Sequence, residues 1–333
     1  MAKRQVVSAL RWVEGQPWPR SHWSNIVESW VRVDRDLYVG AGELCWFRVD
    51  DLRDLVLQVQ HQQRDLVAVT GTFFFRLGNS SLTDRLRRWR LGKRVREFER
   101  RRFPTLVSYL VYYPIWWVHE TQMGRHPIHA AAVATPRGAI VLAGASGVGK
   151  SSISTALAAH PGNYMLSDSF VLVEGTRVFA VPEPILLDHY ARDWLATRVE
   201  CLQPVDHHYM LNRDGYQIAP AKFQPSANAA VLILPQRGHS WGCRKIDAAR
   251  AWQRITAANF LVNDLRRYYA LTAAWEQLEP KGLVIQRERA VEELTQSVAA
   301  FEVEIPPTAA AEFVVENLMG LLESQRAPLA KHE

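Results

Sequence analysis

The sequence predicts an α/β protein, and three neighbouring features support this fold class. Residues 138–143 (GAIVLA) form a short apolar run that is typical of a buried strand. The glycine-rich octapeptide GASGVGKS follows at 144–151, and residues 151–160 have the composition of a helix. Residues 164–167 then show a second strand pattern, so strands and a helix alternate along this part of the chain.

The composition is that of an ordinary globular protein. The chain has 333 residues, of which 48% are hydrophobic and 22% are charged, and this length favours about two domains. Cys45, Cys201 and Cys243 are far apart and form no CxxC pair, which argues against a disulfide framework or a zinc site. The longest apolar run, 106–118, is too short to span a bilayer, and the N-terminus lacks a signal-peptide core. We therefore expect a soluble, cytoplasmic protein without a transmembrane segment.

Residues 1–120 are predicted to form a small α+β domain with an accessory or recognition role. Runs of β-type composition lie at 30–33, 37–39, 44–49 and 66–75. The segment 51–64 between them is compatible with a helix. Segment 85–102 carries ten Lys or Arg and two Glu. A solvated helix face is the favoured interpretation of this basic segment, and a surface for nucleic acid, an acidic peptide or a membrane is the alternative.

Residues 121–325 are predicted to form the catalytic domain, and 326–333 a frayed tail. A buried helix over 102–119, interrupted or ended near Pro114, leads into it. After residue 167 the patterns predict a hairpin of 170–173 and 178–181, a strand at 185–187, and loops around 206–208 and 212–215. The remaining predicted elements are a buried strand at 229–234, a helical stretch at 248–269, a strand at 301–305 and a final helix ending near residue 322.

The octapeptide at 144–151 matches the phosphate-loop pattern GxxxxGK[ST] at every defined position. A strand that feeds such a loop into a helix aims backbone N–H groups and the positive helix end at one point, which suits phosphate. The predicted ligands are therefore ATP, with GTP left open, and Mg²⁺, which the Ser151 hydroxyl can ligate. The residues assigned to nucleotide binding are Gly144, Ala145, Ser146, Gly147, Val148, Gly149, Lys150, Ser151 and Ser152.

Asp168 is the best candidate for a second functional group. Phosphoryl transfer to a hydroxyl needs a group that orients or deprotonates the acceptor beside the phosphates and the metal. Asp168 follows the strand that comes after the phosphate-loop helix, so a twisted sheet brings its carboxylate near the loop. It could act as the base or on the metal side, and a turn cap before the hairpin is the purely structural alternative.

Residues 129–173 resemble the catalytic domain of the HPr kinase/phosphorylase family, bacterial protein-serine kinases that share a fold with phosphoenolpyruvate carboxykinase. The resemblance lies in His129-Ala130 ahead of the loop, the loop itself, and Asp168-Ser169 after it. It implies Asp168 as the catalytic base, His129 as a polar neighbour in the same site, and Ser151 with Asp168 as Mg²⁺ ligands. Ser169 stands where the family has a second Asp, which puts the reverse, phosphorolytic reaction in doubt. The later family signature is reduced to a faint echo at 235–238 and 257–259, to which no function is assigned.

The passages PEPILL at 182–187 and ELTQSVAAFEVEIPP at 293–307 are similar to divergent members of that family, including kinases of lasso-type precursor peptides. We therefore expect a kinase that transfers the γ-phosphoryl group of ATP to a hydroxyl, most plausibly a serine of a peptide or protein. A small hydroxyl metabolite is an alternative acceptor. The rival functions are a nucleotide-binding regulator or ATPase without an acceptor, and a nucleic-acid-linked NTPase. Nucleic acid is the less favoured partner. The sequence is compatible with either a monomer or a homo-oligomer.

Overall fold

The computed structural model describes residues 5–14, 31–34, 37–39, 44–49, 53–63, 66–75, 81–92, 107–195, 200–208, 213–278 and 281–324. The chain divides into two compact units: unit 1 comprises Met1–Met123 with Arg267–Leu283, and unit 2 comprises Gly124–Arg266 with Val284–Glu333. Strands and helices are mixed throughout, so the α/β class is confirmed. No helix within the described ranges is long and apolar enough to cross a membrane. The predicted frayed tail at 326–333 lies outside the described residues.

Unit 1 begins with a mixed sheet. The strands described there are β1 (Gln5–Glu14), β2 (Val31–Asp34), β3 (Leu37–Val39), β4 (Leu44–Val49), β5 (Arg53–Gln63) and β6 (Leu66–Phe75). Their order is β1-β6-β5-β4-β3-β2, with β1 and β6 parallel and the other neighbours antiparallel. Helix α1 (Leu82–Arg90) follows, and most of its described side chains are exposed. It holds the start of the basic segment 85–102, whereas 93–102 lie outside the described residues.

The helix predicted over 51–64 is wrong, because Arg53–Gln63 forms strand β5. Leu55, Leu57 and Val59 recur with the period of two that a strand requires, beside the helix-like spacing that suggested the prediction. Pairing with β4 on one side and β6 on the other then supplies the backbone hydrogen bonds of this segment. Pairing with the two adjacent strands therefore decides between two periodicities that the sequence of the segment leaves nearly balanced.

The predicted buried helix before residue 119 is confirmed over its described part, but Pro114 does not end it. A π-helical turn at Ser108–Tyr112 leads directly into α2 (Tyr113–Met123). The helix is continuous through both parts, so Pro114 is an interior residue, and the π-helical turn lies directly before the place where its N–H is missing. Tyr113 and Trp116 are buried and pack on Tyr268, whose hydroxyl donates a 2.6 Å hydrogen bond to buried Glu120.

The chain from residue 124 onwards holds the phosphate loop and the elements around it. They begin with β7 (His126–Ile128), β8 (Ala130–Thr135), β9 (Gly138–Ala143), α3 (Lys150–Ala159), β10 (Tyr164–Ser167), β11 (Val171–Glu174), β12 (Arg177–Ala180), β13 (Ile185–Leu187) and α4 (His189–Leu195). They continue with β14 (Leu202–His208), β15 (Arg213–Ile218), a 3-10 turn (Pro220–Lys222), β16 (Ser226–Arg237), β17 (Gly242–Ile246), α5 (Ala248–Leu261), α6 (Asn263–Leu278), α7 (Leu283–Ser297), β18 (Ala299–Ile305) and α8 (Ala311–Ser324).

A nine-stranded sheet forms the centre of unit 2. Seven strands follow the order β10-β8-β9-β16-β12-β11-β7, and β18 pairs with both β16 and β17. Strands β9, β16 and β18 run parallel, while β8 and β10 are antiparallel to their neighbours. Strands β13, β15 and β14 form a separate antiparallel sheet in that order. The carboxyl ends of three parallel strands therefore meet at the edge from which the phosphate loop leaves.

Alternating residues of β9 face two apolar layers of the core. Ile140 and Leu142 belong to the layer that includes residues of α3 and α8, and Val141 and Ala143 belong to the layer that includes residues of α5 and α7. Helices thus cover both faces of the sheet, which explains why β9 is apolar along its whole length. This burial fixes the strand that carries the loop.

The strand, helix and strand predicted over 138–167 are confirmed, as are the hairpin β11–β12 and strand β13. The predicted strands and helix at 229–234, 301–305 and the C-terminus are also present, with longer bounds. The loops predicted around 206–208 and 212–215 are wrong where the structure describes them: Asp206–His208 pair with Arg213–Gly215 in β14 and β15. Polar residues there resemble a loop in sequence, but an antiparallel partner satisfies their backbone groups.

The helical stretch predicted over 248–269 is two helices. Val262 is extended, with φ −89° and ψ 122°, and it separates α5 from α6. The sequence analysis does not predict strand β17 or helix α7, and β17 is largely polar and exposed.

Candidate active site

The phosphate loop leaves β9 at Gly144 and enters α3 at Lys150. Gly144, Gly147 and Gly149 have φ values of +147°, +85° and +95°, a region that side chains with a Cβ rarely adopt. Ala145, Ser146, Gly147 and Gly149 are exposed, so this backbone is accessible to a ligand. The first turn of α3 leaves N–H groups that have no partner within the helix. The strand-loop-helix arrangement is therefore the shape that cradles phosphate.

Lys150 is buried beneath this loop. Its ammonium donates hydrogen bonds to the carbonyl oxygens of Gly144, at 2.8 Å, and Ala145, at 2.9 Å. Burial lowers the pKa of Lys150 to about 8, against the opposing effect of the negative charge of Asp168. A buried cation that is held by neutral carbonyls gains from a nearby anion, because the anion restores the stabilisation that desolvation removes.

The sheet brings Asp168 to the same edge. Ala130 pairs with Ala143 across β8 and β9, and Ser167 pairs with Ala132 across β10 and β8, so the residue after β10 lies two strands from the loop. Two strand spacings are about 10 Å. Asp168 is 3% exposed and accepts a 3.3 Å hydrogen bond from the Ser154 hydroxyl of α3.

His129 lies between β7 and β8 at this edge. Its backbone N–H donates to Asn259 Oδ1 at 2.8 Å, and its Nδ1 is 2.9 Å from the carbonyl oxygen of Ser169. A carbonyl oxygen only accepts, so Nδ1 carries the proton and Nε2 is left as an acceptor. Burial and the charge of Lys150 lower the pKa of His129 to about 3, although the Ser169 hydrogen bond opposes this. His129 is therefore neutral near pH 7, and its buried Nε2 has no partner among the described residues.

Glu183 belongs to the same cluster and was not predicted as a site residue. One carboxylate oxygen accepts the backbone N–H groups of Ser169, at 2.8 Å, and Phe170, at 2.9 Å. Burial, with a smaller contribution from the charge of Asp168, raises the pKa of Glu183 to about 8, despite the two hydrogen bonds. The carboxyl group is thus mostly protonated near pH 7. The sequence signal for Glu183 was its position between two prolines in PEPILL, but that motif does not indicate which residues the carboxyl group contacts.

Two further residues come from the later segments in which the sequence showed only a faint echo of the family signature. Arg237 ends β16 and donates from its guanidinium to the carbonyl oxygen of Gly147 at 3.2 Å. Asn259 of α5 is the 4% exposed residue that holds the backbone of His129. They lie 90 and 130 residues away from their partners along the chain. The parallel pairing of β16 with β9, and the packing of α5 on the sheet, make these contacts.

Glu302, in the middle of β18, anchors a cluster of basic side chains. Its buried carboxylate accepts hydrogen bonds from Arg250 and Arg254, with closest distances of 2.8 and 2.7 Å, and also from Arg244. Burial raises the pKa of Glu302, but the three guanidinium groups outweigh it and lower the pKa to about 2. Arg254 also reaches Gln236 of β16 at 3.3 Å, which connects this cluster to the strand beside the phosphate loop.

The predicted Mg²⁺ ligands are compatible with this arrangement. Ser151 is in the first turn of α3, and Ser152 follows it on the same helix. The described residues contain no group of three or more His, Cys, Asp or Glu that could hold a metal on their own. A magnesium ion on nucleotide phosphates needs only one or two protein ligands, since phosphate oxygens and water complete its shell. Ser151 and Asp168 fit that requirement.

All the sequence-predicted site residues thus lie at one edge of the central sheet, in or beside the 144–152 segment. His129, Lys150 and Asp168 interact electrostatically or through shared neighbours, and Glu183, Asn259 and Arg237 join them. Chemically, the arrangement offers a phosphate cradle, a buried cation, a buried carboxylate and a neutral imidazole. In comparisons with known proteins, the chain matches no protein-family model, and no curated protein matches its sequence.

Proposed function

We propose that this protein is an ATP- and Mg²⁺-dependent kinase that transfers a phosphoryl group to a hydroxyl, in the first place a serine of a peptide or protein. We also propose that unit 2 has the P-loop fold of the HPr kinase and phosphoenolpyruvate carboxykinase type. The observation that supports this most is the buried carboxylate of Asp168 beside a phosphate loop. Its charge is close enough to Lys150 to oppose the lowering of the Lys150 pKa by burial. A buried carboxylate at this place can serve both a magnesium ion on the phosphates and an acceptor hydroxyl.

Each residue then has a defined role. The backbone N–H groups of 145–151 hold the phosphates, and Lys150 exchanges its carbonyl partners for phosphate oxygens. Ser151 and Asp168 hold Mg²⁺, which neutralises charge on the phosphates. Arg237, fixed on Gly147, adds positive charge at the other side of the loop. Together these groups stabilise the charge that develops during transfer.

Asp168 also takes the proton. The acceptor hydroxyl lies within hydrogen-bond reach of the carboxylate, and the proton passes to Asp168 as the acceptor oxygen bonds to the γ-phosphorus. The bond between that phosphorus and the bridging oxygen breaks, and ADP leaves. Neutral His129 offers the lone pair of Nε2 as a hydrogen-bond acceptor within the same site. Such a group orients a hydroxyl without adding charge.

The test is transfer from γ-labelled ATP to serine-containing peptides, with mass spectrometry for an added phosphate. Asp168→Asn should lower transfer at least about 10²-fold, the usual scale for a lost general base, while nucleotide still binds. Asp193→Asn, at an exposed aspartate of α4, is the matched control and should transfer normally. Normal transfer by Asp168→Asn would show that the assignment of the base is wrong.

The same assay separates the rival functions. Release of labelled inorganic phosphate without any labelled acceptor, at a rate that no peptide or small alcohol changes, would support an ATPase or a nucleotide-binding regulator instead. Transfer to small alcohols but to no peptide would favour a metabolite kinase.

A further inference from the structure

A cavity of about 430 Å³ opens directly beside Asp168 in unit 2. It lies between the end of β10, the segment 181–185, and the small sheet of β13, β15 and β14. Most of its walls are apolar, and they include Met165, Val181 and Phe223. This volume is within the range of sites that enclose a side chain or a small molecule.

The polar side chains that line the cavity are those of Ser167, Asp168, Glu183 and Gln217. Glu183 is held there by the two backbone N–H groups of Ser169 and Phe170. The Ser167 hydroxyl donates a 2.7 Å hydrogen bond to the carbonyl oxygen of Val181, so it is satisfied within the wall. The cavity therefore combines an apolar interior with two carboxyl groups.

This combination restricts what can bind. An anionic group would be repelled by the charge of Asp168 and would lose its hydration against apolar walls. An uncharged hydroxyl can donate to the carboxylate, while the groups next to it bury apolar surface. A group bound here also has its hydroxyl beside the base, which is the geometry that transfer requires.

The border of the cavity suits a peptide. Val205 lines the cavity, lies on β14 and is 57% exposed. Among the residues that the structure describes, strand β14 pairs with β15 alone and forms one edge of its sheet. An edge strand presents unpaired N–H and C=O groups, with which an extended peptide can form an additional strand.

We propose that this cavity is the acceptor subsite, and that it takes a serine flanked by uncharged, apolar residues of a peptide that extends along β14. This inference rests on the proposed kinase function, whose substrate it specifies.

Binding and transfer are measured separately. Fluorescently labelled peptides with one serine between leucines, between aspartates or between lysines are titrated into the full chain saturated with a non-hydrolysable ATP analogue. Fluorescence anisotropy reports binding, and γ-labelled ATP reports transfer to the same peptides. We expect the leucine-flanked peptide to bind at least about 10-fold more tightly than the aspartate-flanked one, and to be the better acceptor.

A variant that fills the cavity mouth tests the location. Val205→Trp places an indole at the exposed border and should weaken binding of the leucine-flanked peptide at least about 10-fold, with nucleotide affinity unchanged. Val284→Trp is the matched control, because Val284 is 53% exposed on α7 and does not line the cavity. Circular dichroism of both variants checks that they fold. Gln217→Leu, at an exposed residue that lines the cavity, gives a second variant that should retain or improve binding of the apolar peptide.

The outcomes are distinct. Tighter binding of the aspartate-flanked peptide, or equal binding by Val205→Trp and the wild type, would overturn the inference. Loss of nucleotide affinity instead of peptide affinity in Val205→Trp would assign the cavity to the nucleobase and overturn it as well. Cavity-dependent binding of the leucine-flanked peptide without transfer to any peptide would support the subsite but contradict the proposed kinase function.

Discussion

Glu183→Gln provides a direct test of the electrostatics of the candidate site. Gln keeps the shape of the protonated carboxyl group and one oxygen that can accept from Ser169 and Phe170. It removes the ionisation whose pKa burial and Asp168 raise from 4.5 to about 8. The substitution therefore separates the hydrogen bonds of Glu183 from its charge.

Proton linkage gives the direction in which the stability of the wild type changes with pH. Above its unfolded pKa of 4.5, Glu183 binds its proton more tightly in the folded state, so the wild type loses stability as pH rises towards about 8. One pKa unit corresponds to about 1.4 kcal/mol, so the loss between about pH 5.5 and pH 8 has an upper bound of about 3 kcal/mol. Glu183 is partly exposed, and solvent screening should reduce the observed value to about 1–2 kcal/mol.

The assay is urea denaturation of the wild type and Glu183→Gln at both pH values, followed by tryptophan fluorescence. The free energy of unfolding of the variant, relative to the wild type, should rise by about 1–2 kcal/mol from the lower to the higher pH. Glu288→Gln, at an exposed residue of α7, is the control for loss of one negative charge. A difference between variant and wild type that is the same at both pH values would refute the assignment of a protonated carboxyl group to Glu183.

Three further predictions concern other parts of unit 2. Lys150→Ala should abolish the rise in melting temperature that ATP with Mg²⁺ causes in the wild type, because the phosphates lose the cation that is buried under the loop. Glu302→Gln should lower the free energy of unfolding near pH 7 by about 3 kcal/mol, measured by urea denaturation, because three guanidinium groups lose their shared anion. An unchanged denaturation midpoint would contradict a structural role for this cluster. Gly138→Ala should destabilise the folded protein by about 1–3 kcal/mol, since φ of Gly138 is +115° and the added Cβ would lie 2.9 Å from the Cβ of Ala230. Gly320→Ala, in a helix with no atom within 4 Å of the added Cβ, should be neutral or stabilising in the same assay.

Much of unit 2 was predictable because its strands are buried on both faces. Continuous apolar runs such as 138–143 and 229–234 have few alternatives as strands, and turn residues bound the hairpin of β11 and β12. The prediction failed where pairing with a neighbouring strand decides the conformation. Residues 53–63 carry both a two-residue and a helix-like period, and they pair with β4 and β6. Residues 206–208 and 213–215 are polar strands that pair with each other, and Asp214 and Gly215 also pair with β13.

The candidate site divides in the same way. Lys150, Ser151 and the glycines are local to one loop, and a strand-loop-helix sequence determines their geometry wherever the loop is placed. Asp168 could be inferred from its place after the strand that follows the loop helix, and His129 from the resemblance to the kinase family. Glu183, Arg237 and Asn259 could not, because their roles depend on contacts with residues 13 to 130 positions away.

The sequence by itself therefore determined the strand-loop-helix unit with the phosphate-loop pattern and the strand that brings Asp168 towards it, because both follow from short-range backbone geometry and burial. Only the tertiary structure decided the protonation states of the ionisable groups in the site. Burial lowers the pKa of His129 and of Lys150 and raises that of Glu183, and the depth of burial depends on which strands and helices pack there. The cavity beside Asp168 was likewise decided by the tertiary structure, because its walls come from segments that are far apart in the chain and meet only when the sheets form.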